Sequence, residues 1–264
     1  FHPTSPMLRY PIINSLFGVA FATLLILDVF WEISWWIYIL LAAVWATFTI
    51  IGSFHIRWNY HLPALHFNRK IPDNLVAITF DDGPHPNFTP KVLDLLQKYN
   101  AKASFFCVGH QVNQFGGIAQ KIVDNGHTIG NHTYSHSNKF GFFGTQKVIL
   151  ELQKTSTIIK EVTGLDPKLY RPAFGVTNPS ISRAVKKLKL KTVGWNIRSL
   201  DTTKRSKKVI LERITSKLKK GDIILLHDSS EKTVEVLEQL LLFLQQNKMQ
   251  SVTVDQLLDI KAYA

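Results

Sequence analysis

The chain has 264 residues, 45% of them hydrophobic, with 31 Lys and Arg against 19 Asp and Glu, for a formal net charge of +12. That length allows one large domain or two small ones, and a single cysteine, Cys107, excludes an intramolecular disulfide. The charge suits an anionic surface or a phosphorylated ligand, but no nucleic-acid-binding motif accompanies it.

The apolar residues crowd the first sixty positions. Residues 11–30 and 35–54 are each about as long as a bilayer-spanning helix, and the second carries no charge. Trp31, Trp35 and Trp36 cluster between them, as aromatic residues do at a membrane interface. Two long segments in succession with no small-residue cleavage site fit a signal peptide poorly. Residues 1–65 are therefore read as a two-span hairpin anchor in contact with membrane lipids; the chain does not begin with Met, and its true start, for which Met7 is one candidate, is left open. Arg9 precedes the first span and Arg57, Arg69 and Lys70 follow the second. The positive-inside rule then favours cytoplasmic flanks and a cytoplasmic domain.

A polar connector at 66–73 leads into strand and helix signals that alternate through residues 74–264. "NLVAITF" reads as a buried strand. "TPKVLDLLQKYN" reads as a helix with Thr89 as N-cap and Pro90 in its first turn. "AKASFFCVG" and "HTIGNHT" read as strands, and a helix near 117–125 stops at Gly126. The helix "TQKVILELQKTSTIIKEVTG" stops at Gly164; "KTVGWNI" and "GDIILLH" follow as strands, and a last helix surrounds "EVLEQLLLFLQQN". Repeated alternation predicts an α/β fold with a largely parallel sheet. Between 183 and 222, "RAVKKLKLK", "KRSKK" and "KLKKGD" have almost no neighbouring acid. They read either as solvated helix faces or as a surface for lipid head groups or a phosphorylated substrate.

In such folds, sites gather at the carboxyl ends of the strands. "TFDDGPH" puts Asp81 and Asp82 at one such end. An Asp-Gly turn alone would account for one carboxylate, but adjacent anions call for a shared cation or proton. His132 and His136 in "GNHTYSHSN" are four apart, a spacing that puts two imidazoles on one face of a helical turn. With Asp82 they form a three-ligand set that leaves a tetrahedral ion an open position. Zinc is the default, and other divalent transition metals also suit nitrogen and carboxylate donors. Asp81 is then free to act as general base, and His227 in "ILLHDS" is the right group to protonate a departing amine.

In order, "TFDDGPH", "HTYSH", "RPAFG", "SLD" after Trp195 and "LLH" resemble the five motifs of the polysaccharide deacetylases, carbohydrate esterases with a chitooligosaccharide-deacetylase-type domain. The resemblance spans roughly residues 74–260. It implies a distorted (β/α) barrel, usually seven-stranded, and metal-dependent removal of N-acetyl or O-acetyl groups from an acetylated glycan. It also implies Asp81 as base, with Asp82, His132 and His136 as metal ligands. Arg171 positions the base, and the Phe174 N–H binds the oxyanion. His227 is the acid, oriented by Asp201. Leu225 receives the acetyl methyl, and Trp195 stands with the substrate pocket. One motif departs from the usual Asp-x-x-Asp-Trp: "RSLDT" has Arg198 and Thr202 at the outer positions. Arg198 either meets a substrate anion or makes a structural salt bridge, so the identity of the sugar is open.

The leading reading is deacetylation of a cell-envelope polysaccharide. Two alternatives stand beside it. One is a deformylase or deacetylase of a polyprenyl-phosphate-linked sugar at the cytoplasmic membrane face. The other is a carbohydrate-binding pseudoenzyme, for which the expected loss of ligands, acid or base is absent from the sequence.

Overall fold

The computed structural model describes residues 9–264. The first eight residues of the anchor segment, Met7 among them, lie outside the described residues. Two antiparallel neighbours open the chain, α1 (Tyr10–Asp28) and α2 (Trp35–Phe54). Both are apolar around their whole circumference, and each has one buried residue, Ile13 in α1 and Gly52 in α2. Trp45 Nε1 donates to Asn14 Oδ1 at 2.8 Å across the pair.

Beyond a short 3₁₀ turn at Ile56–Trp58 the chain builds a curled, wholly parallel sheet. Its strands are β1 (Ala64–Leu65), β2 (Leu75–Asp81), β3 (Ala103–Cys107), β4 (Thr128–Asn131), β5 (Leu169–Tyr170), β6 (Lys191–Val193), β7 (Ile197–Arg198), β8 (Ile223–His227) and β9 (Gln250–Ser251). The order is β1-β6-β5-β4-β3-β2-β8-β7, with β9 added beside the start of β2. The expected seven strands are thus nine. Part of the surplus arises because one passage, 191–198, pairs with β5 at its start and β8 at its end, and counts as two short strands. That passage brings the two sides of the sheet round to a single segment and curls it. At the edge, β1 pairs with β6, so the sheet takes in residues upstream of 74.

The helices α3 (Phe88–Lys98), α4 (Gly109–Gln114), α5 (Gly116–Asp124), α6 (Thr145–Thr163), α7 (Pro179–Lys187), α8 (Lys207–Thr215), α9 (Glu231–Gln246) and α10 (Val254–Leu258) complete the chain. Asn178, Ser206 and Ser230 cap α7, α8 and α9 with side-chain oxygens. Thr89 does not cap α3, whose N-cap is Asn87. Its hydroxyl is drawn instead to the buried Asp228 carboxylate and the His85 N–H. The alternation of β2 decides what lies inside. Val76, Ile78 and Phe80 join the large core shared with α3, α5, α8 and α9, which leaves Ala77, Thr79 and Asp81 on the inner face. On β8, Ile224 and Leu226 face the same outer core, so Leu225 and His227 point inward.

The basic stretch 183–222 covers the end of α7, strands β6 and β7, helix α8 and their links. Lys207 finds its acid, Glu235, on α9, a partner that sequence proximity could not reveal.

Candidate active site

Strand register assembles the site. Asp81 and His227 lie directly opposite each other on β2 and β8, about 5 Å apart in the hydrogen-bonding direction. His132 follows β4 and Arg171 follows β5, neighbours whose ladder ends Asn131↔Tyr170. The Arg171 N–H continues that ladder onto the Asn131 carbonyl at 3.0 Å. One rim therefore carries both carboxylates, both imidazoles of the HTYSH segment, the arginine and His227.

Asp82 Oδ1 lies 3.4 Å from His132 Nε2 and 3.2 Å from His136 Nε2. The three ligand atoms all fall within 4.8 Å of one another. The two imidazoles do not reach this point through a helical turn. Residues 132–136 form a loop in which Thr133 (φ 67°) and His136 (φ 46°) are left-handed, and those two reversals swing His136 back toward Asp82. Asp82 (φ 76°), Phe174 (φ 58°) and Leu200 (φ 62°) share this conformation. Each such non-glycine residue costs on the order of 1–3 kcal/mol, so the surrounding packing holds the rim in a fixed, prearranged shape.

Tautomers follow from the partners. His132 Nδ1 lies 2.9 Å from the Arg171 carbonyl, which can only accept, so Nδ1 carries the proton and Nε2 offers its lone pair. Burial works against charge on His132, but Asp81 and Asp82 outweigh it and hold its pKa above the usual value. Burial also opposes ionisation of Asp82, yet its imidazole neighbours keep its carboxyl well below the ordinary carboxylate range. Burial, and then the His132 charge, lower His136. Two imidazole nitrogens and one carboxylate oxygen converging in this way match the donor set of a divalent transition metal.

Asp81 is buried beneath this group, with its Oδ2 3.9 Å from His132 Nε2. Its Oδ1 accepts from Arg171 Nη1 at 2.8 Å. Arg171 is wholly buried, and each of its three nitrogens donates: Nη1 also to Thr79 Oγ1 at 2.7 Å, Nε to the Val193 carbonyl at 3.2 Å and Nη2 to the Gly194 carbonyl at 3.0 Å. Its guanidinium stacks over the Phe106 ring at 4.1 Å. Only a planar fork reaches these acceptors together.

Across the groove, His227 Nδ1 meets Asp201 Oδ1 at 2.8 Å. The other Asp201 oxygen accepts from the His227 N–H at 2.8 Å and Thr233 Oγ1 at 2.9 Å, and Ser199 Oγ donates to Oδ1 at 2.9 Å. Burial disfavours the imidazolium, but Asp201, with Asp81 and Asp82 behind it, raises the His227 pKa to about 9. The ring therefore carries its proton at neutral pH.

Phe174 projects half-exposed beside His136, ring centroids 4.4 Å apart. Next to it, Gly175 (φ +70°) is required: a Cβ there would stand 2.8 Å from Trp195 Cη2. Leu225 is buried on β8 one inward position before His227, and Trp195 packs behind the 173–175 turn. Arg198 stands exposed at the end of β7 and makes no ion pair among the described residues, so the salt-bridge alternative finds no partner there.

Four contributing residues drew no role from the motif resemblance, although Thr79 and Ser199 lie inside the quoted motifs: Thr79, Ser199, Thr233 and Asp228. Thr79 was findable, lying two residues before Asp81 on the same strand face. Thr233 sits in the first turn of α9, and only packing brings it to Asp201. Asp228 lies buried behind the rim, its carboxyl raised by burial to about 7.

Comparison with known proteins agrees with this geometry. The polysaccharide deacetylase family model matches residues 68–193. The chain is 33% identical over 208 residues to a peptidoglycan-N-acetylglucosamine deacetylase of Bacillus cereus, covering 75% of this chain and 96% of that protein. It is 30% identical over 194 residues to the peptidoglycan-N-acetylmuramic acid deacetylase PdaC of Bacillus subtilis, where it spans 74% of this chain but only 40% of that longer protein. A crystal structure of a peptidoglycan N-acetylglucosamine deacetylase in complex with an N-hydroxybenzamide compound superposes with a TM-score of 0.71 at 29% identity, covering 75% of this chain and 94% of that one. The chain belongs to the polysaccharide deacetylase family. Its curled parallel α/β domain is the fold of that solved relative.

Proposed function

We propose that this polysaccharide deacetylase removes N-acetyl groups from an envelope glycan of the peptidoglycan type, with a divalent ion held by Asp82, His132 and His136. The observation that carries the reading is the convergence of those three ligand atoms beside a separately anchored carboxylate, Asp81. A bound ion, for which zinc is the first choice, supplies positive charge that polarises an acyl oxygen and acidifies water.

The chain's own residues do the rest. Asp81, locked by Arg171, takes the proton of the attacking water as its oxygen bonds to the acetyl carbon. The Phe174 N–H donates to the oxyanion that forms. His227, protonated and aligned by Asp201, gives its proton to the amide nitrogen as the C–N bond breaks, releasing acetate and a free amine. Leu225 offers the apolar surface that receives the methyl group, and Trp195 and Arg198 border the sugar. An O-acetyl group fits the same geometry, with an alcohol as leaving group.

The α1–α2 pair is proposed as a membrane hairpin that holds this domain, from about residue 64 onward, at the bilayer surface. Its support is two helices of 19 and 20 residues, long and apolar enough to cross a membrane, with little of either buried. One observation favours a second substrate, a sugar carried on polyprenyl phosphate: Arg9, Arg57, Arg69 and Lys70 flank the hairpin on its outer sides. A reporter fused after the final residue, active only outside the cell, separates the two. An external signal keeps the wall polymer and removes the lipid-linked sugar; an internal signal does the reverse. Acetate release from N-acetylated peptidoglycan, lost on chelation and restored by zinc, is the expected result for the enzyme itself. Release that persists after full metal removal overturns the ligand assignment.

A further inference from the structure

A second concavity adjoins the catalytic groove at Trp195 and Arg198, where the exit of α2 meets β7 and α8. It encloses about 300 Å³, at the lower end of the range for small-ligand pockets, about 300–1,000 Å³. Arg57, Arg198, Arg213 and Lys217 line it, and no carboxylate does. Some surface lysines find acids elsewhere: Lys91 pairs with Glu231, Lys98 with Glu238 and Lys207 with Glu235. None of the four cleft cations has an ion-pair partner among the described residues. Four like charges around one concavity repel one another, and an anion bound between them removes that repulsion. Arg213 Nε is already fixed on the Arg198 carbonyl at 2.8 Å, which leaves its terminal nitrogens to present a planar fork of the kind that grips phosphate.

Position narrows the kind of anion. The cleft begins at Phe54, the last residue of the apolar α2, and continues through His55 and Ile56 to Arg57. If α2 spans a bilayer, its end lies in the head-group layer, where phosphates are concentrated. The opposite wall includes Trp195, which also backs Gly175 in the active-site turn. The Thr177 N–H completes the link, donating to the Ser53 carbonyl at the end of α2 at 2.9 Å.

We propose that this cleft binds the phosphate of an anionic phospholipid head group and thereby sets the catalytic rim against the bilayer. The inference rests on the reading of α1–α2 as a membrane hairpin, and the two fail differently. Flotation of the full chain with vesicles of pure phosphatidylcholine tests the hairpin. Lipid retention then tests the cleft: the detergent-purified chain is mixed with equal amounts of phosphatidylglycerol and phosphatidylcholine, and bound lipid is counted by native mass spectrometry.

Wild-type protein retains phosphatidylglycerol preferentially, and millimolar inorganic phosphate competes with it. The double variant Arg57→Gln/Lys217→Gln loses affinity for that lipid by about fivefold for each neutralised cation, whereas Arg57→Lys/Lys217→Arg keeps it. Both pairs alter exposed side chains, so acetate release from a soluble substrate, unchanged in each, verifies folding. Flotation followed by retention that shows no preference between the lipids, or a preference that survives the Gln variant, overturns the cleft and leaves the hairpin standing. Absence of flotation overturns the hairpin and the proposal together. Phosphate binding without lipid retention assigns a soluble anion and overturns the lipid source.

Discussion

Helix α2 carries 16 apolar residues in 20 and α9 only 8 in 16, yet the more apolar helix is the less buried one. In α9 the apolar residues fall on one stripe, and Val234, Val236, Leu237, Leu240, Leu241 and Leu244 are all buried against the sheet. In α2 they run round the whole helix; Trp36, Leu40 and Ile50 stand exposed, and only Gly52 is covered. Apolar content therefore does not say where a helix packs; its angular distribution does. A one-sided stripe finds a protein partner, while an all-round apolar surface requires an apolar solvent. The domain is accordingly self-sufficient in packing, and chemistry and stability should be sensitive to its interior and indifferent to the outer face of the hairpin.

The largest expected effect that would break this contrast lies in the groove. Asp81→Asn should lower kcat/KM by about 10³-fold with the metal site intact, the middle of the range that a lost general base costs; a loss below tenfold in acetate release would remove Asp81 from its proposed role. His227→Gln should cost about 10²-fold and abolish the alkaline limb of the pH profile. The sign follows from the raised pKa: the proton donor is present below about pH 9 and lost above it, so wild-type rate falls as pH rises through that value. Thr233→Val, which strips one donor from Asp201, should move that limb while preserving the fold, as read by circular dichroism.

Within the interior, Arg171→Lys should cost about 3–5 kcal/mol in denaturant unfolding, because a lysine cannot reach the four acceptors and leaves Asp81 without its partner. Leu240→Ala, at a fully buried position of α9, should cost about 2–5 kcal/mol. The smallest effect is on the other side of the comparison. Leu40→Ala in α2, 63% exposed within the protein, should change domain stability in micelles by no more than about 0.5 kcal/mol. A large loss there would mean that α2 packs against protein rather than lipid.

Much of this could be read before any coordinates. The strand "NLVAITF" and the carboxylates at its end announce themselves through local chemistry, since β-branched residues, a Gly-Pro breaker and an adjacent anion pair are all neighbours in sequence. The helix stops at Gly126 and Gly164 were legible for the same reason: both residues adopt positive φ, 74° in each case, where glycine is least restricted. His132 and His136 were recognisable as a pair, but their route to Asp82 was not. Helical spacing and a loop with two left-handed residues bring the rings to the same place, and the sequence does not distinguish them. Thr89 shows the reverse error: local capping preference lost to a buried carboxylate 139 residues away.

By itself, the order of residues determined the parallel α/β class, the family motifs and the chemical types gathered at the strand ends, because these depend on side-chain pattern and short spacing. Tertiary structure decided which of those groups face one another. The register that sets Asp81 opposite His227, the Thr233 contact that steadies Asp201 and the four unpaired cations beneath α2 all join segments far apart in the chain. Such contacts follow from how the sheet curls and the helices pack against it, a cooperative balance of burial and hydrogen bonding that no short window of sequence contains.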